Sequence, residues 1–153
     1  MTLEQQLQLI IDDAPNYGIA TAIVEQAIAP VLESFAAQLQ HLEYYVLQNL
    51  ENEWVLLTIN NPQLQQHKRV IYAFVTVRDA ATFQSQTDSE LIAAPIAVTQ
   101  LLFRLFSLQQ VDSIIFLDDS QNLNRGVEIE RSHLSQAIQQ QIEQLTIIPP
   151  NLA

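Results

Sequence analysis

Between Leu117 and Val127 the sequence sets oxygen donors at alternate positions. Asp118, Ser120, Asn122 and Asn124 are spaced as in a calcium-binding loop. Such a loop also needs a glycine at its sixth position, for the sharp turn, and an acid at its twelfth, for bidentate closure. Here those positions hold Leu123 and Ile129, so a plain hairpin loop is the stronger expectation. Glu130 and His133 are spaced to share one helical face, as carboxylate–histidine metal pairs do. A two-metal centre needs a second pair and further acids, and none is visible. His41 and His67 lie in polar segments without an adjacent nucleophile, which favours surface roles over base catalysis. Asp118 and Asp119 facing Glu128 and Glu130 would concentrate negative potential at one end of a hairpin. That arrangement supports one alternative function: an enzyme acting on a small ligand or depending on a divalent metal, built on residues 118–130.

Other chemistries are excluded by composition. The chain has no cysteine, which removes thiol catalysis, thiolate metal sites and disulfides. Its only glycines are Gly18 and Gly126, so neither a dinucleotide-binding nor a P-loop phosphate motif can be written. No nucleophile elbow or zinc-protease motif is present. We therefore expect no catalytic residue, no cofactor and no bound metal.

The 153 residues carry 17 acidic and 6 basic side chains, a net charge of −11. Nucleic-acid binding draws on clustered Lys and Arg, and these are scattered, so nucleic acid is not an expected partner. An anionic membrane surface is disfavoured for the same reason. The N-terminal residues lack a basic and an apolar signal region, and the charge-free stretch between Glu90 and Arg104 is shorter than a bilayer span. A cytoplasmic location is the expectation.

The elements that would hold these residues follow from periodicity. Thr2 and Gln5 form a capping box ahead of Leu3, Leu7, Ile10 and Ile11, and Pro15 ends that helix. A second helix carries Ile19, Ile23, Ala27, Val31, Phe35 and Leu39, with Pro30 either kinking it or opening a new one. Runs at 44–50, 54–59 and 69–77 are rich in aromatic and β-branched residues, and the short links between them predict an antiparallel meander. Thr87 and Glu90 suggest a further capping box, with a helix following to Leu108 and Pro95 in its true first turn. Short strands at 113–117 and 127–130 and a helix from Ser132 to Leu145 complete the series. The expected class is α+β: a helical N-terminal segment, then an antiparallel sheet of about five strands, comprising a meander, a helix and a hairpin, packed against helices. Residues 1–145 form one domain and 146–153 an irregular tail.

The helix from Pro95 to Leu108 is the most informative segment. Val98, Leu101, Leu102, Leu105 and Phe106 make the apolar stripe, but Ile96, Phe103 and Leu108 extend it around much of the circumference, and Arg104 is the sole charge. Two readings are open. Either the helix is central and covered by its own chain, or its surplus flank pairs with a second copy, because so large a patch is seldom left exposed.

The element order from Tyr44 to Leu145, preceded by a helix, resembles the fold of type III secretion chaperones and related regulator domains. The likeness spans about the last two-thirds of the chain and rests on element order and acidity. It implies a homodimer joined through the helix between the third and fourth strands, here Pro95 to Leu108. The abundance of glutamine and scarcity of lysine also look like the texture of cyanobacterial proteins, which implies no function. Together these features give a non-enzymatic protein-binding module, chaperone- or adaptor-like and homodimeric, with a protein or peptide partner, as the expected function. Its five proposed interface residues are Val98, Leu101, Leu102, Leu105 and Phe106.

Overall fold

A computed structural model describes residues 1–61, 66–84, 90–118 and 126–147. The N-terminal capping box forms as the spacing predicts. Gln5 N–H donates to Thr2 Oγ1 at 3.2 Å, and Thr2 N–H donates to Gln5 Oε1 at 2.9 Å. It opens α1 (Leu3–Asp12), which ends in a 3-10 turn over Ala14–Tyr17. Gly18, at φ 71°, adopts the left-handed conformation that closes this turn. The next helical run starts at Thr21 and has three parts: α2 (Thr21–Ile23), a π-helical stretch (Val24–Ile28) and α3 (Ala29–Ala36). Pro30 thus sits in the first turn of α3, directly after the widened stretch. There its missing N–H and bulky ring meet less conflict than in a regular helix interior.

The strands are β1 (Glu43–Gln48), β2 (Leu57–Asn61), β3 (Gln66–Phe74), β4 (Ile92–Ala97), β5 (Ser113–Leu117) and β6 (Val127–Glu130). Three helices follow or separate them: α4 (Val77–Gln84), α5 (Val98–Ser107) and α6 (Arg131–Ile147). The fold is α+β, but the sheet has six strands and is mixed. Its order is β4-β1-β3-β5-β6, with β2 also pairing with β3.

Three differences from the sequence expectation have physical causes. The first three strands are not a simple meander. β2 pairs with the beginning of β3, from Leu57↔Val70 to Asn61↔Gln66, whereas β1 meets its end at Tyr45↔Phe74. β3 and β5 run parallel, from Val70↔Ser113 to Phe74↔Leu117. Parallel neighbours need a long crossover, and α4, β4 and α5 supply it. Pro95 lies inside β4 and not in a helix, so α5 begins at Val98. Proline is tolerated on an edge strand, and β4 is one. Two smaller differences concern ends. α6 continues to Ile147, beyond the expected tail boundary, and Thr87 of the second capping box lies outside the described residues.

Alternation along the strands creates two faces. Tyr44, Val46, Ile71, Ala73, Ile114, Phe116 and Ile129 point to the main core, shared with α1, α3, α5 and α6. Leu47, Phe74 and Leu117 lie on the other face, under Ala80 of α4, with Phe83 packed beside them. α5 runs through the main core and packs against α1, α3, α6 and β4. No helix among the described residues is long and apolar enough to cross a membrane.

Candidate functional site

The described acidic residues of the hairpin, Asp118, Glu128 and Glu130, do not converge on one site. Asp118 accepts a hydrogen bond from the Tyr44 hydroxyl at 2.5 Å, and the Tyr44 ring belongs to the main core. Burial, reinforced by the Asp118 carboxylate, raises the Tyr44 pKa. Glu128 and Glu130 alternate with the core residues Val127 and Ile129 and so lie on the opposite face. There both carboxylates close on one cation: Lys68 Nζ is 2.5 Å from Glu128 Oε2 and 3.0 Å from Glu130 Oε1. Ser113 Oγ donates to Glu128 Oε2 at 2.6 Å, and His133 Nε2 lies 3.4 Å from Glu130 Oε2. Glu130 and His133 therefore meet as their spacing suggests, but Lys68 occupies the position where a metal would need the carboxylate. Among the described residues no group of three or more acidic or histidine side chains is placed to hold a metal ion. Asp119 and the calcium-like run Ser120 to Asn124 lie outside the described residues. His41 is exposed and stands edge-on to Tyr44 at 5.6 Å, and His67 is exposed beside Lys68.

This ion cluster makes stability depend on pH at both ends. Burial pushes the Glu128 pKa up, but hydrogen bonds from Lys68 and Ser113 outweigh it and leave the value lowered. Burial pulls Lys68 down, but the two carboxylates outweigh that and leave it raised. The contribution of Glu128 is thus present above the ordinary carboxyl pKa and disappears as pH falls through its lowered folded value. That of Lys68 is present below the ordinary lysine pKa and disappears as pH rises through its raised folded value. Lys68→Met removes the cause of the Glu128 shift. The difference in urea midpoint between wild type and Lys68→Met should be larger at about pH 7 than at about pH 2. An equal difference at both would mean that the cluster is not coupled to folding.

The five residues of the α5 stripe divide into two groups. Val98, Leu101, Leu102 and Leu105 are each 0% exposed within a single chain. They face α1, α3, α6 and the sheet, so the central-helix reading holds for them and they offer no surface to a second copy in this fold. Phe106 is only half-buried. It marks the flank where the covering stops.

That flank opens on a cavity of about 410 Å³ lined by Tyr17, Ile19, Gln100, Phe103, Arg104, Phe106 and Ser107. The wall opposite α5 is built by the turn after α1. The Gly18 reversal follows Tyr17 directly, and the Tyr17 ring meets Phe103 edge-on at 5.0 Å. Arg104, in the last turn of α5, is half-buried with its guanidinium 4.0 Å from the centroid of the Trp54 ring. Cation–π contact and the negative end of the helix dipole both favour its charge. Among the described residues no carboxylate lies within ion-pairing distance of it. Burial lowers its pKa, opposed only by the Tyr17 phenol.

Part of this groove was visible in the sequence, through the sole charge of the helix and the extra apolar flank of Phe103. Tyr17 and Trp54 carried no such signal, because both arrive from segments distant in the chain. Comparison with protein-family models and with curated proteins finds no match for the chain.

Proposed function

We propose that this chain is a non-enzymatic protein-binding module of the chaperone or adaptor kind, in which the groove between the Tyr17 turn and α5 receives an apolar segment of another protein. One observation supports the reading above others. The central helix is sealed along four of its five stripe residues, yet at Phe103 and Phe106 it opens on an aromatic-lined concavity. Recognition sites of this kind combine an apolar body with a few fixed polar groups, here Arg104, Gln100 and Ser107. Two of the four carboxylates on which the enzymatic alternative rests, Glu128 and Glu130, already engage Lys68.

Site-specific photocrosslinking tests the proposal. A benzoylphenylalanine at Ser107, at the rim, should yield a crosslinked protein partner in the source cell. The same probe at the exposed Gln139 of α6 should yield none. The adduct should vanish in Tyr17→Ala, which removes an exposed wall residue that borders the main core only at Phe103. Adducts of two copies of the chain would make the groove a homodimer contact and overturn the proposed partner. Adducts insensitive to Tyr17→Ala would place recognition elsewhere.

A further inference from the structure

We infer that the segment held by this groove carries an aspartate or glutamate beside its apolar anchor, and that this carboxylate seats on Arg104. The inference rests on the groove being the recognition site and adds the chemistry of the occupant.

The first support is a contrast between two cations. The chain has 17 acidic residues and 6 basic ones, so a carboxylate should be easy to recruit to any cation. Lys68 has two, although it is more than a third exposed. Arg104 is also withdrawn from water, yet it is held by the Trp54 ring and by no described acid. A ring beneath a guanidinium engages its π cloud, whereas the five N–H donors radiate in the guanidinium plane. Among the described residues none accepts a hydrogen bond from the Arg104 guanidinium, so its N–H donors remain to take a carboxylate in two parallel hydrogen bonds.

The second support is the wall chemistry. Tyr17, Ile19, Phe103 and Phe106 suit an aromatic or branched aliphatic side chain, and among the described residues no acidic side chain lines the cavity to repel an anion. Repulsion from the net charge of −11 acts over a longer range and is screened beyond about 8 Å at physiological salt. A segment with one well-placed acid and otherwise neutral or basic residues satisfies both conditions. A strongly acidic segment does not.

Panning a phage-displayed library of random peptides on the full chain tests this directly. Recovered peptides should place Asp or Glu within two residues of an aromatic, Leu or Ile, without an overall negative charge. Trp54 is the only tryptophan and lies against Arg104, so its fluorescence can follow binding of the synthetic peptides. Exchanging the peptide acid for its amide should weaken binding about tenfold or more, as loss of a charge-assisted pair does. Arg104→Gln should weaken the acidic peptide about tenfold, and it should remove most of the difference between acid and amide. Peptides that lose binding in Tyr17→Ala but tolerate the amide exchange would overturn the carboxylate inference and leave the groove reading intact. Absence of any peptide sensitive to Tyr17→Ala would overturn both.

Discussion

Leu102→Asp should yield insoluble or unfolded protein and not a soluble monomer. Leu102 is 0% exposed and lies in the main core with Leu101 and Leu105, where α5 is enclosed by α1, α3, α6 and the sheet. An aspartate there would lose its hydration and gain no partner, and Leu→Asp also leaves part of the cavity unfilled. Either effect alone costs several kcal/mol, and a domain of this size has about 5–15 kcal/mol in total. Leu102→Ala, which isolates the cavity, should cost about 2–5 kcal/mol by urea denaturation. Phe106→Asp should instead remain folded, because its side chain can turn into the groove and stay hydrated. A Leu102→Asp protein with native circular dichroism and unchanged mass would mean that α5 faces elsewhere.

Gln6→Leu should destabilise the fold by about 2–4 kcal/mol, although leucine is the better helix former and the site is buried. Gln6 is 4% exposed, on the inner side of α1. Its Oε1 accepts from Thr99 N–H at 3.3 Å and from Thr99 Oγ1 at 2.9 Å, and its Nε2 donates to the Leu42 carbonyl at 2.9 Å. The residue at the start of α5, Ala97, has no side chain able to cap the helix. Gln6 therefore supplies from α1 the acceptor that the N-terminus of α5 lacks. Leucine would leave two Thr99 donors buried without a partner. Adding Thr99→Val should recover part of the loss, because one of those donors goes with the hydroxyl. If Gln6→Leu raises the urea midpoint, the cross-helix cap contributes nothing to stability.

These two sites show what was legible in the chain and what was not. Local signals gave the capping box at Thr2 and the β5–β6 hairpin, and they named the residues that line α5. They did not give the environment of that helix. A helix apolar nearly all round is either a core element or an interface, and periodicity does not separate these. The partners that decide it, α1, α3 and α6, come from opposite ends of the sequence. β4 was missed because Ala93, Ala94 and Pro95 carry little strand signal, and its place at the sheet edge makes that composition acceptable. The parallel β3–β5 pair was missed because the pattern within each strand does not report the direction of a partner reached through a long crossover. At the groove, Arg104 and Phe103 were visible as oddities of one helix, whereas Tyr17 and Trp54 become neighbours only through tertiary packing. Nothing in the local pattern sets Gln6 apart from the other glutamines, and its burial is a property of the assembled helices.

Native-state hydrogen exchange across a hundredfold range of protein concentration addresses the enclosure of α5 most directly. Amides from Leu101 to Leu105 should exchange only through global unfolding, at rates that do not change with concentration. Rapid exchange in dilute protein, with protection gained as concentration rises, would show that a second molecule covers this helix and would contradict the fold and groove described above.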